Sequence, residues 1–326
     1  MTCLPDLPAE AAFAALRPTA PRLIPAGAEE ADRLRIILAL SADTPVFQLW
    51  GEGRTLPGKH VVGGGCEALF IRFVPAEALD RHHLAQALSD GLAAQGLPVC
   101  PPVPGFPRPD PTGGGWFASP YRPHRYAHAD TTDLERLGTA LARLHAALTV
   151  SPLRSVIAGR TDARYAALQD MATRYRRNTP TGVPAAVTDW LCHRELRFDS
   201  RLLTGGDTHP LHGDLNYSNV CFSLEDGLPW FVDFETATLS HLSPACDLAM
   251  VMDRFIDTGP PDTAGHLWDS FAKAYGNTPD QAYLRRIIAQ LALRSLLLLC
   301  QRHTQGQAVP AAEWAKFTQA LARSQP

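Results

Sequence analysis

Residues 211–235 read LHGDLNYSNVCFSLEDGLPWFVDFE, and the polar residues in this stretch stand at spacings that chemistry can use. His212, Asp214 and Asn219 come first. An apolar run, VCF, follows, then LEDGLP, a second apolar run, WFV, and Asp233. Asp226-Gly227 is a strong hairpin signal, because that turn needs residues that tolerate positive φ. Folding about it pairs positions whose numbers sum to about 453. Asn219 then lies across from Phe234 or Asp233, depending on register. An amide oxygen and a carboxylate would meet at the open end of one hairpin, with Asp214 in the loop before it. Magnesium is a hard cation that takes oxygen ligands and keeps some waters while bridging phosphates. A hydroxyl that attacks phosphorus needs a nearby carboxylate to orient it and take its proton. The stretch therefore reads as a metal and phosphate-transfer centre.

Outward from this island the pattern is helical. TTDLERLGTALARLHAAL (131–148) carries Leu134, Leu137, Leu141, Leu144 and Leu148 at three-to-four spacing, with Thr131 or Thr132 as the N-cap. Residues 162–178, 183–199, 264–276, 280–303 and 310–323 read as further helices. The first third differs. A short helix at 29–40 is followed by VFQLW and ALFIRF, apolar runs set between the glycine clusters GEG and GGG, which is strand-turn-strand language. A helix at 77–95 and a last strand, WFASPY, complete a small mixed unit.

Bulk composition narrows the classes. The 326 residues carry 30 Lys and Arg against 33 Asp and Glu, so a net charge of -3 gives no case for binding nucleic acid or an anionic membrane. Seven cysteines without a CxxC pair argue against disulfides and zinc and fit a reducing cytoplasm. The N-terminus has no signal-peptide pattern. The apolar stretch 287–300 is interrupted by Gln290, Arg294 and Ser295, and reads as a buried helix instead of a membrane span.

HxDxxxxN followed by DFx resembles the catalytic and metal loops of the protein-kinase-like superfamily. Gly213 and the wording HGDLNxxN resemble its small-molecule branch, which includes the aminoglycoside phosphotransferase, choline kinase and homoserine kinase-like families. LGTALARLHAAL and PACDLA (244–249) extend the resemblance over much of 130–255. It implies an α+β bilobal fold, with a small β-rich N-lobe at 1–118 and a larger, mainly helical C-lobe at 119–326. It further implies Mg2+, ATP or GTP as co-substrate, a small-molecule hydroxyl as acceptor, and a cytoplasmic monomer or homodimer. By matching position, Asp214 is the catalytic base and Asn219 and Asp233 bind magnesium. His212 and Asp247 support the catalytic loop. Glu235 stands where protein kinases have the glycine of DFG, a variable position in this branch.

The N-lobe half of the site departs from that pattern. The strand ALFIRF offers Arg72 and no lysine to hold the α/β-phosphates, and no aligned glutamate follows it. Glu77 and Asp80 are the acidic candidates, and the aligned position falls near His82 or His83. Gly51 and Gly53 suit a phosphate-covering turn. Trp116, Phe117 and Tyr121 lie where a hinge would contact the base. GxxxxGK (53–59) mimics a P-loop but is followed by His60 where Ser or Thr belongs. Asp253 and Asp257 would suit a cationic acceptor. The absent Lys–Glu pair leaves an alternative: a nucleotide-binding pseudokinase without turnover.

Overall fold

A computed structural model describes residues 22–51, 54–128, 130–192, 197–258 and 262–324. Gly53 lies outside them. The first described elements are β1 (Arg22–Pro25), α1 (Ala28–Leu38), β2 (Val46–Gly51), β3 (Arg54–Val62), β4 (Leu69–Val74), α2 (Leu79–Ala94), β5 (Arg108–Pro109) and β6 (Gly115–Pro120). These strands form one antiparallel sheet in the order β1-β2-β3-β4-β6-β5.

Side chains alternate across a strand, and that alternation decides what the sheet offers the site. Ile71, Trp116, Ala118 and Val62 turn to one face and pack with Leu34 and Leu38 of α1. Lys59, Arg72 and Phe117, which are cross-strand neighbours on β3, β4 and β6, turn to the other and line a cleft. The segment GxxxxGK therefore ends inside a strand, and no P-loop forms around it. Trp116 is the corrected expectation: it is buried on the far face, its indole N–H donating to Asp110 at 2.7 Å, and it does not line the cleft.

The chain leaves the sheet at Pro120. β7 (His124–Tyr126) already belongs to a second, three-stranded sheet with β9 (Val220–Ser223) and β10 (Pro229–Phe231), after α3 (Thr131–Thr149), α4 (Arg154–Arg177), α5 (Ala185–Cys192), α6 (Arg201–Thr204) and β8 (His209–Pro210). β11 (His241–Leu242) pairs with β8. The remainder is α7 (Ala245–Val251), a π-helical turn at Met252–Ile256, α8 (Ala264–Tyr275), α9 (Gln281–Thr304) and α10 (Ala311–Ser324). No described helix is long and apolar enough to cross a membrane.

The leucine stripe of α3 is the centre of the larger core, and all five leucines are fully buried. Gly138 lets α8 close on that helix, since a Cβ there would meet the Phe271 carbonyl oxygen at 2.6 Å. The N-cap of α3 is Asp130, whose carboxylate accepts from the Asp133 N–H, and not Thr131 or Thr132. Asp133 is itself engaged by Arg125 in a bidentate pair at 2.5 and 2.7 Å, which fixes β7 to the start of α3. The 162–178 helix begins earlier than its pattern suggested, at Arg154.

Candidate active site

The hairpin of the island is centred one residue earlier than the Asp-Gly signal predicts, its paired numbers summing to 451. Observed pairs are Phe222 with Pro229, Cys221 with Trp230 and Val220 with Phe231. The turn is a four-residue loop, not a two-residue one. Ser223 Oγ accepts the N–H groups of Glu225 and Asp226, and Gly227 at φ 67 donates back to the Ser223 carbonyl. Val232, therefore, faces Asn219, its N–H donating to the Asn219 carbonyl at 3.1 Å, and Asp233 lies one step beyond the ladder. Asp233 adopts φ 63, uncommon for a residue with a side chain. Asn219 and Asp233 both line the cleft.

The loop before the hairpin is held from behind. Buried Asp247, at the start of α7, accepts the backbone N–H groups of His212 at 3.0 Å and Gly213 at 2.9 Å. His145 of α3 reaches it through Nε2 at 3.1 Å, and the other His145 nitrogen meets Tyr275 Oη at 2.9 Å. Burial opposes the Asp247 charge, but these hydrogen bonds and the two histidines outweigh it and hold its carboxyl below the usual range. His212 donates or accepts nothing from solvent: it is fully buried, and its Nε2 sits 2.9 Å from the Val232 carbonyl oxygen. Gly213 has φ 77, and a Cβ there would collide with Ser240. With the loop so pinned, Asn219 Nδ2 donates to the Asp214 carbonyl at 2.9 Å and to its carboxylate at 3.2 Å. Asp214 is half-buried and faces a second, smaller cavity in the helical lobe.

The cleft between the sheet and the hairpin has a volume of about 240 Å³. Phe117, Tyr121, Leu49 and Trp230 form its apolar walls; Lys59, Arg72, Asn219, Asp233 and Glu235 supply charge and polarity. Arg72 lies 3.3 Å from Asp233 and 2.7 Å from Glu235. Glu235 also takes Arg81 at 2.9 Å and His82 Nδ1 at 3.1 Å, both from α2. The acidic partner of Arg72 therefore comes from the segment just after the hairpin, and the helix contributes Arg81 and His82 to it, the reverse of a helix carboxylate paired with a strand cation. Neither Glu77 nor Asp80 fills that place: Asp80 pairs with Arg160 at 2.6 Å. Burial works against the Glu235 charge, yet the His82 hydrogen bond and the Arg72 and Arg81 charges outweigh it and bring its carboxyl to about 2.

Lys59 is a cleft residue that the sequence pattern offers only as the end of GxxxxGK; its register against Arg72 places two cations side by side in the cleft. Burial first, and the Arg72 charge second, lower its pKa. Gly51 closes β2 opposite Arg54. Asp253 and Asp257 are neutralised by arginines: Asp253 by Arg254 at 3.1 Å and Arg323 at 2.5 Å, Asp257 by both ends of the Arg285 guanidinium.

The APH model, described as the phosphotransferase enzyme family, matches residues 48–288. No curated protein matches the sequence. Among solved structures, the chain is similar to choline kinase LicA from Streptococcus pneumoniae, at 15% identity over 91% of this chain and 100% of that one, with a TM-score of 0.58. It is also similar to the spectinomycin phosphotransferase APH(9)-Ia solved with ADP and spectinomycin, at 12% identity over 90% and 93% of the two chains, with a TM-score of 0.59. Aminoglycoside 2'-phosphotransferase-IIIa, solved with GDP, gives 11% identity, 96% and 95% coverage, and a TM-score of 0.56. At these identities the likeness is one of fold, a bilobal α+β kinase-like arrangement. Together with the family model, which spans both lobes, it makes the chain a member of the APH phosphotransferase enzyme family.

Proposed function

We propose that the protein transfers the γ-phosphoryl group of ATP or GTP to a hydroxyl of a small molecule, with Asp214 as the catalytic base. The observation that carries this reading is the joining of two half-sites. Asp214 and Asn219 are hydrogen-bonded on the C-lobe side, and Lys59 and Arg72 project from the sheet across the same cleft that Asn219 and Asp233 line. In the transfer, the acceptor oxygen bonds to the γ-phosphorus as the bond from phosphorus to the β–γ bridging oxygen breaks. The nucleoside diphosphate departs, and the hydroxyl proton passes to the Asp214 carboxylate. The Asn219 amide keeps that carboxylate oriented. Lys59 and Arg72 meet the negative charge of the nucleotide phosphates, and catalysis rests on positioning and charge neutralisation.

The donor set also fits a magnesium ion. Asn219 Oδ1 and the Asp233 carboxylate are hard oxygens, and Asp233 already faces a cation, the Arg72 guanidinium. When bound, the ion would spread the charge of the phosphates. A pseudokinase without turnover would fit the absence of a Lys–Glu pair; the Arg72–Glu235 ion pair favours the enzyme instead.

Purified protein incubated with Mg-ATP or Mg-GTP and a panel of hydroxylated metabolites is expected to yield a phosphorylated product. Asp214→Asn should lower turnover by about a thousandfold, within the range for losing a general base, while Mg-nucleotide still raises Tm. Turnover that survives Asp214→Asn unchanged, or a nucleotide-induced Tm shift indifferent to magnesium, would refute the proposal.

A further inference from the structure

The cavity beside Asp214, about 80 Å³, is lined by Asp214, Asp253, Arg254 and Arg294, with Lys316 and Phe317 at the α10 side. Three cations thus stand against two carboxylates, and the balance of free charge is more positive than that count. Asp253 is consumed by Arg254 and by Arg323, a cation from outside the lining. Asp214, the proposed base, is held by the Asn219 amide.

Arg294 is the residue left over. It projects from α9 and is 6% exposed. Its Nη1 donates to Tyr165 Oη at 3.2 Å and its Nε has no partner; burial opposes its charge, and the nearby Tyr165 and the Asp214 carboxylate, beyond ion-pair distance, favour it. A buried guanidinium without a counter-ion is costly, and a planar fork of donors fits a carboxylate or phosphate in two parallel hydrogen bonds. Arg164 of α4 lies near enough to add to this positive field: burial first, and the Arg294 charge second, lower its pKa to about 10. A cationic acceptor would meet Arg294, Arg254 and Lys316 and find no unengaged carboxylate there except the base itself.

On the reading of the protein as a small-molecule phosphotransferase, we infer that the acceptor is an anionic alcohol, a small hydroxy acid or phosphorylated alcohol, whose acid group is the missing counter-ion of Arg294. The acid group anchors on Arg294, with Arg254 and Lys316 contributing long-range attraction. The hydroxyl then falls toward Asp214, which faces the same cavity. Arg294 acts here as a specificity-determining residue.

Matched acceptors test this. Glycerate, glycerol and 3-amino-1,2-propanediol share a three-carbon scaffold and differ in charge, as do gluconate, sorbitol and glucamine on six carbons; glycerol phosphate adds the phosphorylated case. Each is offered with Mg-ATP alongside a mixed hydroxyl-metabolite pool, and products are identified by mass. Anionic acceptors should be preferred in kcat/KM by about tenfold or more, the discrimination expected from one charge-assisted contact. Arg294→Gln should raise KM for the acid by about tenfold more than KM for the neutral alcohol of the same scaffold. A Tm shift with Mg-ATP verifies that the variant is folded, and Arg294→Lys should recover part of the preference. Preferred phosphorylation of neutral or cationic acceptors overturns the inference and leaves phosphotransfer standing. Equal effects of Arg294→Gln on acid and neutral acceptors also overturn it, because a purely structural role moves both. No product from any class overturns the inference together with the phosphotransferase reading.

Discussion

Replacing Glu235 with glutamine isolates the electrostatics of the clamp, because it keeps the size of the side chain and removes its charge. Glu235 lies within 3.1 Å of Arg72, Arg81 and His82, and its side chain is 13% exposed. Each tenfold change in a proton-binding constant is worth about 1.4 kcal/mol, and the carboxyl falls from 4.5 to about 2. That sets a ceiling of about 3 kcal/mol. Arg81 is 46% exposed, so solvent screening takes a share, and we expect Glu235→Gln to destabilise the fold by about 1–2 kcal/mol at pH 7. The pKa is depressed in the folded state, so the stabilisation is complete above the unfolded value near 4.5 and fades as pH falls through the folded value near 2. Urea unfolding at pH 7, 5 and 4 should show a constant gap between the two proteins at pH 7 and 5 that has narrowed at pH 4. Arg72 also loses its anchor and turns wholly to Asp233, so the KM for Mg-ATP should rise. A gap that is absent at pH 7, or that does not change with pH, would refute the argument that this carboxylate is charged and held by three basic neighbours.

Three further outcomes follow from the same geometry. Lys59→Met should raise the KM for Mg-ATP by about tenfold while the urea midpoint stays near that of the parent, since a phosphate contact is lost and an apolar side chain of similar length remains; steady-state kinetics at varied nucleotide reads it. Asp247→Asn should destabilise by about 3 kcal/mol in urea and lower turnover, because one amide oxygen cannot serve two backbone N–H groups and His145 as a buried carboxylate does. Gly213→Ala should lower turnover by more than tenfold, through the positive φ and the collision with Ser240 that together displace Asp214; unchanged kinetics would show that the loop has room that the packing denies.

Local pattern was enough for the elements that depend on local pattern. The α3 stripe, the 264–276, 280–303 and 310–323 helices and the two strands of the island follow from periodicity and breakers, and they form within a residue or two of expectation. The α3 cap and the hairpin register differed for a local reason as well: Asp130 competes with the threonines for the same N–H, and a Ser223-stapled four-residue loop competes with the two-residue Asp-Gly turn. Where a side chain on the N-lobe sheet points is a matter of register, and a shift of one residue moves it to the opposite face. That is why Trp116, adjacent to the cleft residue Phe117, is in the other core, and why Lys59 is in the cleft.

The proximity of Asp214, Asn219 and Asp233 was legible in the sequence, because one short loop and hairpin carries all three. Charge partnership was not. Arg72 meets Glu235 across 163 positions of chain, Asp253 is neutralised from α10, and Arg294 keeps an unpartnered Nε on a helix that reads simply as buried. Coulomb energy and desolvation depend on distances between segments remote in sequence. Packing of the two lobes sets those distances, and with them the sign of charge that each cavity presents.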